Sequence, residues 1–185
     1  MKQYAELVQE VKSDKRQAQD ALFNLFSGRM FILCRRYIKS TRDAEEMMLD
    51  GFCQVLMNLK HFDYQTDGGF ITWMNTIITN VCLGYLRRKK KIILVADTEA
   101  KDVKTENDIV DRLSAEELYK VILTLPEGCG TVFNLFVIDG FEHKEIAIMM
   151  DIAEATSRTQ LLHARKLLQK KVNANKGHHE RIFSK

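Results

Sequence analysis

Apolar residues recur at helical spacing through most of this 185-residue chain. Residues 15–39, KRQAQDALFNLFSGRMFILCRRYIK, carry a wide stripe of Leu22, Phe23, Leu25, Phe26, Met30, Phe31, Leu33, Cys34, Tyr37 and Ile38. That spacing predicts a helix, with Ser13 or Asp14 as its cap. Residues 41–62, TRDAEEMMLDGFCQVLMNLKHF, predict a second helix, opened by Thr41 as N-cap and by acids where the helix dipole favours them. The stretch DYQTDGG (63–69) is turn chemistry and is expected as a loop. A long helix is then predicted from about Phe70 to Lys91, carrying Trp73, Met74, Ile77, Ile78, Val81, Leu83 and Leu86. A further set of patterns starts near Ser114, with Glu117 placed to complete a capping box. It reaches the sole proline, Pro126, which suits the first turn of a next helix, and that helix is expected to stop at Gly140.

The segment EIAIMMDIAEATSRTQLLHARKLLQ (145–169) then holds two helical patterns only a few residues apart. In the first, small Ala147 permits close approach of a neighbouring helix. DIA makes the turn, with Ile152 filling the space between the helices. The second helix starts near Glu154 and groups Leu161, Ala164 and Leu168 on one face. The opposite side presents Arg158, Thr159, Leu162, His163 and Lys166. This is helix-turn-helix geometry, in which the second helix enters a major groove and its early residues reach base edges. An arginine there can donate two bonds to a guanine edge. The same residues also fit an ordinary helical hairpin with a solvated outer face, so the rest of the chain must weigh between them.

Composition narrows the choice. With 45% hydrophobic and 29% charged residues the chain is globular rather than disordered, and scarce β-branched alternation with a single proline favours helices throughout. The net charge of +3 is unevenly spread. Residues 87–91 are RRKKK, and from His163 onward seven Lys/Arg face one acid, Glu180. Between these blocks, ADTEAKDVKTENDIVD (96–111) holds six acids and two lysines and lacks periodicity, which reads as a flexible acidic linker. Basic blocks flanking an acidic segment point to a polyanion touched at two places. The four cysteines, Cys34, Cys53, Cys82 and Cys129, show no CxxC or paired His spacing, and buried reduced thiols are expected rather than a metal site or disulfides. There is no glycine-rich phosphate loop, no HExxH and no nucleophile–His–acid grouping. The expectation is a non-enzyme without cofactor or metal. No apolar leader and no run of 18 apolar residues occurs, so a soluble cytoplasmic protein without membrane insertion is expected.

The residues also carry a family resemblance. LPEGCGTVFNLFVIDGFEHKEIAIMMDIAEATSRTQLLHARKLLQ resembles the fourth conserved region of sigma-70-type RNA polymerase sigma factors, with its LPE start, its G-[FY]-x-x-x-EIA helix and its A-R-x-x-L ending. RDAEEMMLDGFCQVLMNLKHFD followed by FITWMNTIITNVCLGYLRRKKK resembles the second region. The two occur in the family's order and lack its first and third regions, which is similar to the extracytoplasmic-function (group 4) class.

The resemblance implies an all-α fold: a region 2 domain over 1–93, an acidic linker over 94–111, a region 4 helix-turn-helix domain over 112–173 and a basic tail over 174–185. It implies a specificity subunit that binds core RNA polymerase and promoter DNA, assists strand opening, and is restrained by an anti-sigma factor. Asp43, Glu45, Glu46 and Asp50 would face the polymerase, where acids steer encounter more than they add affinity. Asn75 and Asn80, with the 63–69 loop, would meet the −10 element, since separated strands offer base edges that a closed duplex hides. Trp73 shares its spacing with Ile77 and Val81 and is expected in the core. Arg87, Arg88 and Lys89 would contact phosphates. Arg158, Thr159, Leu162 and His163 would read the −35 element, with Arg165 and Lys166 on phosphates. A stand-alone duplex-binding regulator and a helical protein adaptor are the rival readings, and neither needs a strand-opening half. Departures from the family pattern are Leu49 and Gly51 on the polymerase-facing helix, Gly130 in place of arginine, Asp151 in place of the turn glycine and Ala153 in place of a capping serine.

Overall fold

A computed structural model describes residues 3–96 and 121–182, with side chains over 3–89 and 121–171. Among the described residues every regular element is helical. The chain divides into two compact units, Met1–Ala96 and Asp97–Lys185. The helix expected from about Phe70 to Lys91 runs on to Ala96, through 94–96, the first three residues assigned to the acidic linker. Residues 97–111 of that linker, the Ser114–Glu117 capping box and the last residues of the basic tail lie outside the described residues.

The first unit contains α1 (Ala5–Lys12), α2 (Arg16–Tyr37), α3 (Thr41–Leu59) and α4 (Asp67–Ala96). Helices α2, α3 and α4 pack on one another, and α1 lies against α2 and α3. Most of the predicted stripe of α2 is its buried face: Leu22, Phe26, Met30, Leu33 and Cys34 meet Met47, Val55 and Leu59 of α3 and Phe70, Met74, Ile78 and Cys82 of α4 in one core. Phe23 and Phe31 are half-buried, and Leu25, also placed in the stripe, is exposed. Side chains of this size each stabilise by about 1.5–3 kcal/mol when fully removed from water. Phe70 sits at the centre of an aromatic cluster, 5.8 Å edge-on to Phe26 and close to Tyr4, Phe62, Tyr64 and Trp73.

Several boundaries differ from the sequence expectation. The N-cap of α3 is Ser40, one residue before Thr41, and its hydroxyl accepts the Asp43 N–H at 3.3 Å. Neither Ser13 nor Asp14 caps α2. They form the turn after α1, where Asp14 adopts a left-handed φ of 56° and Lys15 precedes the helix. Helix α4 starts at Asp67, because the Thr66 hydroxyl accepts the Gly69 N–H at 3.0 Å and so brings both glycines into the first turn. Only the front of the 63–69 segment is therefore loop. Helix α1 had no place among the predicted helices, yet Val8 and Val11 are buried and its start is tied to α4. The Asp67 carboxylate accepts the N–H groups of Gln3 (3.0 Å) and Tyr4 (3.2 Å) and the Tyr64 hydroxyl. All four cysteines are free, and three of them, Cys34, Cys82 and Cys129, are the buried thiols that the sequence leads one to expect, while Cys53 is exposed. A hydrogen bond with Cys34, together with burial, pushes the Cys82 thiol far up, so it behaves as an inert apolar group.

The described part of the second unit begins with helical residues 121–123. Next come α5 (Glu127–Phe133), a π turn (Asn134–Ile138), α6 (His143–Met150) and α7 (Glu154–Ile182). Pro126 stands just before α5, at the cap position, with its carbonyl accepting the Gly130 N–H at 2.8 Å. The helix expected to continue to Gly140 widens instead after Phe133, where the Asp139 N–H reaches back five residues to the Asn134 carbonyl (2.9 Å). Gly140 ends the segment at φ +79°, the left-handed position the sequence assigned to it. Val121, Ile122, Leu125 and Cys129 pack against Ala164 and Leu168 of α7. Gly130 is buried beside Leu125, so a family-type arginine there would begin in the core and not at the surface.

Candidate nucleic-acid interface

Helix α6 is started by its own side chains. Glu142 is the N-cap, and the Glu145 carboxylate reaches back to the Glu142 N–H at 2.8 Å in a capping box. The glutamate of the EIA triplet therefore fixes where the helix begins, while Ile146 is fully buried against the rest of the unit. The turn into α7 is made by Asp151 in left-handed geometry (φ 54°, ψ 54°), the conformation a glycine would adopt without a Cβ penalty. The Ala153 carbonyl accepts the Ser157 N–H at 3.1 Å, which places Ala153 at the N-cap of α7 with no side-chain acceptor to offer.

Along α7 the two faces separate cleanly. Ser157, Leu161, Ala164 and Leu168 are buried, and Arg158, Thr159, Leu162, His163, Arg165 and Lys166 are all exposed. Leu162 keeps 56% of its surface exposed and stands among the polar side chains of that face. The Arg158 guanidinium pairs with Glu154 one turn earlier, and both remain open to solvent. Exposed pairs of this kind are worth about 0–1 kcal/mol, so Arg158 is easily released to another acceptor. Thr159 donates its hydroxyl proton to the Ala155 carbonyl at 2.9 Å and retains an acceptor facing outward. Arg165 leans over the Phe136 ring at 6.0 Å.

In the first unit an open groove of about 630 Å³ runs between α3 and α4. Asp50, Cys53, Gln54 and Asn58 form one wall, and Trp73, Ile77, Asn80, Val81, Gly84 and Arg88 the other. Asp50, Asn80 and Arg88, singled out from sequence for different partners, thus line one groove. Asn75 is half-buried and not part of that lining, because five residues along a helix is a rotation of about 140°. Trp73 combines two roles. It stacks on Phe62 at 4.4 Å, as a core residue would, and lines the groove with what remains exposed. Arg87, Arg88 and Lys89 are exposed near the groove's far end, with Lys89 over the Tyr85 ring at 5.7 Å.

Glu45, Glu46 and Asp50 are exposed on α3. Asp43 differs, since its carboxylate accepts the Tyr85 hydroxyl of α4, and that bond, with further help from Ser40, Lys89 and Arg42, holds its carboxyl below the ordinary 3.8. Gly51, noted as a departure, faces inward and not toward a partner. A Cβ there would stand 2.5 Å from the Ile78 Cδ1.

One cluster had no signal in the sequence. The His143 ring at the start of α6 lies on Phe136 (4.4 Å between centroids, 22° between planes), and its Nδ1 is 2.9 Å from the Ser157 Oγ of α7. Burial and the positive charges of Arg158 and Arg165 hold the imidazole below its ordinary 6.5, with Glu154 alone opposing. No spacing rule joins positions fourteen residues apart across a turn.

A four-helix unit with a groove that holds Asn80, Arg88 and Trp73, followed by a helix-turn-helix unit whose second helix keeps a basic face exposed, has the form of a DNA-binding protein. Sequence profiles described as Sigma-70 region 2 and Sigma-70, region 4 match residues 22–92 and 115–168, together more than half of the chain. The chain belongs to the sigma-70 family, in its extracytoplasmic-function class, and is a transcription initiation factor. It is 25% identical over 179 residues to the ECF RNA polymerase sigma-E factor of Haemophilus influenzae, covering 90% of this chain and 93% of that one. It is 27% identical over 178 residues to the ECF RNA polymerase sigma factor SigW of Bacillus subtilis, covering 88% and 94%. Among solved structures, the sigma factor RpoE of Bartonella quintana, crystallised with the anti-sigma factor NepR, shares the fold with a TM-score of 0.54 at 16% identity, over 83% of this chain and 96% of that one. Among the described residues no helix is long and apolar enough to cross a membrane.

Proposed function

We propose that this protein binds core RNA polymerase in the cytoplasm, brings it to promoters and helps open the duplex, with two contacts to DNA. The −35 element is read by the exposed face of α7, through Arg158, Thr159, Leu162 and His163, with Arg165 and Lys166 on flanking phosphates. The −10 strand lies along the α3/α4 groove, where Asn80 offers an amide to a base edge, Trp73 offers part of an aromatic face, and Arg87, Arg88 and Lys89 neutralise phosphates. Asn75 belongs to the same helix but serves a neighbouring nucleotide or none in this groove. Glu45, Glu46 and Asp50 face the polymerase. The acidic segment 94–111 separates a polymerase- and −10-binding domain, 1–93, from a −35-binding domain, 112–173, and 174–185 adds a basic tail. An anti-sigma factor that covers these faces would hold the protein inactive. The observation that carries this reading is the pairing in one chain of a groove holding Asn80 and Arg88 with a recognition helix whose polar face is exposed.

The test is transcription in vitro with purified core polymerase and a pool of random templates. The expected result is a set of transcripts that depend on the added protein and share two separated sequence elements upstream of their starts. Duplex binding by the protein alone, with no dependence of transcription on it, would favour a stand-alone regulator.

A further inference from the structure

Ser157 is fully buried, and it is the residue immediately before Arg158. A hydroxyl in such a place costs stability unless it is hydrogen-bonded, and His143 Nδ1 at 2.9 Å is its side-chain partner. The His143 ring is itself clamped flat on Phe136, and the same Phe136 ring receives the Arg165 guanidinium. One imidazole therefore touches, directly or through one ring, the neighbourhoods of two arginines on the DNA-facing side of α7. It sits on the other helix of the pair, so it also fixes how the two helices are set against each other.

We propose that His143 is a positioning residue for promoter recognition: through Ser157 and Phe136 it sets where Arg158 and Arg165 stand when α7 meets the duplex. The inference rests on the assignment of the −35 contact to α7. The charged groups of α7 that bear on the ring are Arg158, Arg165 and Glu154, and the π turn presents the uncharged Phe136. In the neutral ring with hydrogen on Nε2, Nδ1 accepts the Ser157 proton. The hydroxyl is then oriented, and no third cation is added beside the two arginines.

A loss of fold and a loss of positioning have different signatures. Partial unfolding removes binding-competent protein and weakens specific and non-specific binding by the same factor. A shifted Arg158 weakens only binding that depends on base contacts, so it alone moves the ratio of specific to non-specific binding. The experiment uses the full chain assembled with core polymerase and two duplex probes: the upstream element recovered from the random-template pool, and the same duplex scrambled. The affinity ratio between the probes is the readout. His143→Phe keeps an aromatic ring against Phe136 but loses the nitrogen. It is expected to lower the ratio roughly three- to tenfold, the order of one hydrogen bond. His143→Asn puts an amide oxygen where Nδ1 stands and should restore most of it. In an Arg158→Ala background His143→Phe should change the ratio little further, because its effect on the ratio passes through that arginine while Arg165, on phosphate, bears on both probes alike. Should His143→Phe fail to fold, Ser157→Ala removes one oxygen without adding bulk and carries the same expectation. An unchanged ratio in His143→Phe, or in Ser157→Ala where that variant stands in, overturns the inference while leaving α7 as the reader. A wild-type ratio near one on every recovered element overturns the α7 assignment and this inference with it.

Discussion

The phenol of Tyr85 on α4 donates a hydrogen bond to the carboxylate of Asp43 in the first turn of α3, joining two helices whose sequences give no hint of the contact. Asp43 is consequently a structural residue as well as a member of the acidic face, and the two roles separate experimentally. Tyr85→Phe should destabilise the first unit by about 1 kcal/mol, and Asp43→Ala should cost more because it also removes an N-terminal acid that the α3 dipole favours. Charge reversal at Glu45, Glu46 and Asp50 should leave the melting temperature nearly unchanged while weakening polymerase binding. Trp73 is the only tryptophan and lies in this unit, so its fluorescence follows the unfolding of the first unit selectively. Equal destabilisation by the Glu45, Glu46 and Asp50 reversals would show that they too are held within the fold.

Asp67 gathers the backbone of Gln3 and Tyr4 and the hydroxyl of Tyr64, and the Tyr64 bond in particular holds its carboxyl below 3.8. The folded protein thus binds this proton less readily than the unfolded chain. The stabilising effect is complete above pH ~4 and fades as pH falls through the depressed folded value. Asp67→Asn should lower stability at pH 7 and flatten the acid limb of the stability profile below pH ~4. Burial and the same bond push the Tyr64 hydroxyl above 10, so its contribution is present below that value and is lost only in strong alkali. Urea midpoints across pH 3 to 7, read at Trp73, check the first claim. Parallel acid limbs in the wild type and the variant would refute it.

Gly51 lets α3 and α4 approach until the Ile78 Cδ1 occupies the space a Cβ would take, only 2.5 Å from it. Alanine is the better helix former by about 1 kcal/mol, yet Ile78 is fully buried and has little room to move. Overpacking of this kind costs about 1–3 kcal/mol, so Gly51→Ala should be neutral to destabilising by itself. Ile78→Val removes the colliding methyl. In that background Gly51→Ala should become favourable, giving a double variant more stable than the sum of the single changes predicts. A double-mutant cycle by urea denaturation measures the coupling, and additivity would mean the helices simply spread.

These contacts also mark what the sequence could carry. Buried stripes such as Leu22–Phe26–Met30 and Leu161–Ala164–Leu168 are legible because helical periodicity is a local property, and so is the exposed set from Arg158 to Lys166. Gly140 was legible because a left-handed helix end favours glycine. What escaped depends on tertiary partners. Helix α1 is too short to announce itself and is held by Asp67, some sixty residues away. The widening at Asn134–Ile138 has no composition signal. The α3/α4 groove brings Asp50 beside Asn80 and Arg88 while excluding Asn75, and that required the packing of two helices, not the spacing on either.

The turn into α7 combines two residues that each hold it below its attainable stability. Asp151 adopts φ 54° and ψ 54°, where a Cβ is penalised, and Ala153 occupies the N-cap without an oxygen for the first N–H groups of α7. Asp151→Gly should stabilise the second unit by about 0.5–1 kcal/mol, the strain relieved less the extra freedom glycine has when unfolded. Ala153→Ser should add about 1 kcal/mol by accepting an N–H two or three residues on. Both gains should appear as slower hydrogen exchange of the α7 amides, with Trp73 fluorescence unchanged because the changes lie in the other unit. If this turn must adjust when α7 meets DNA, the doubly stabilised variant should bind the upstream duplex more slowly without dissociating faster. If the turn is only a connector, both rate constants should stay at their wild-type values while exchange still slows. An absence of any slowing in Ala153→Ser would mean that another group already caps α7.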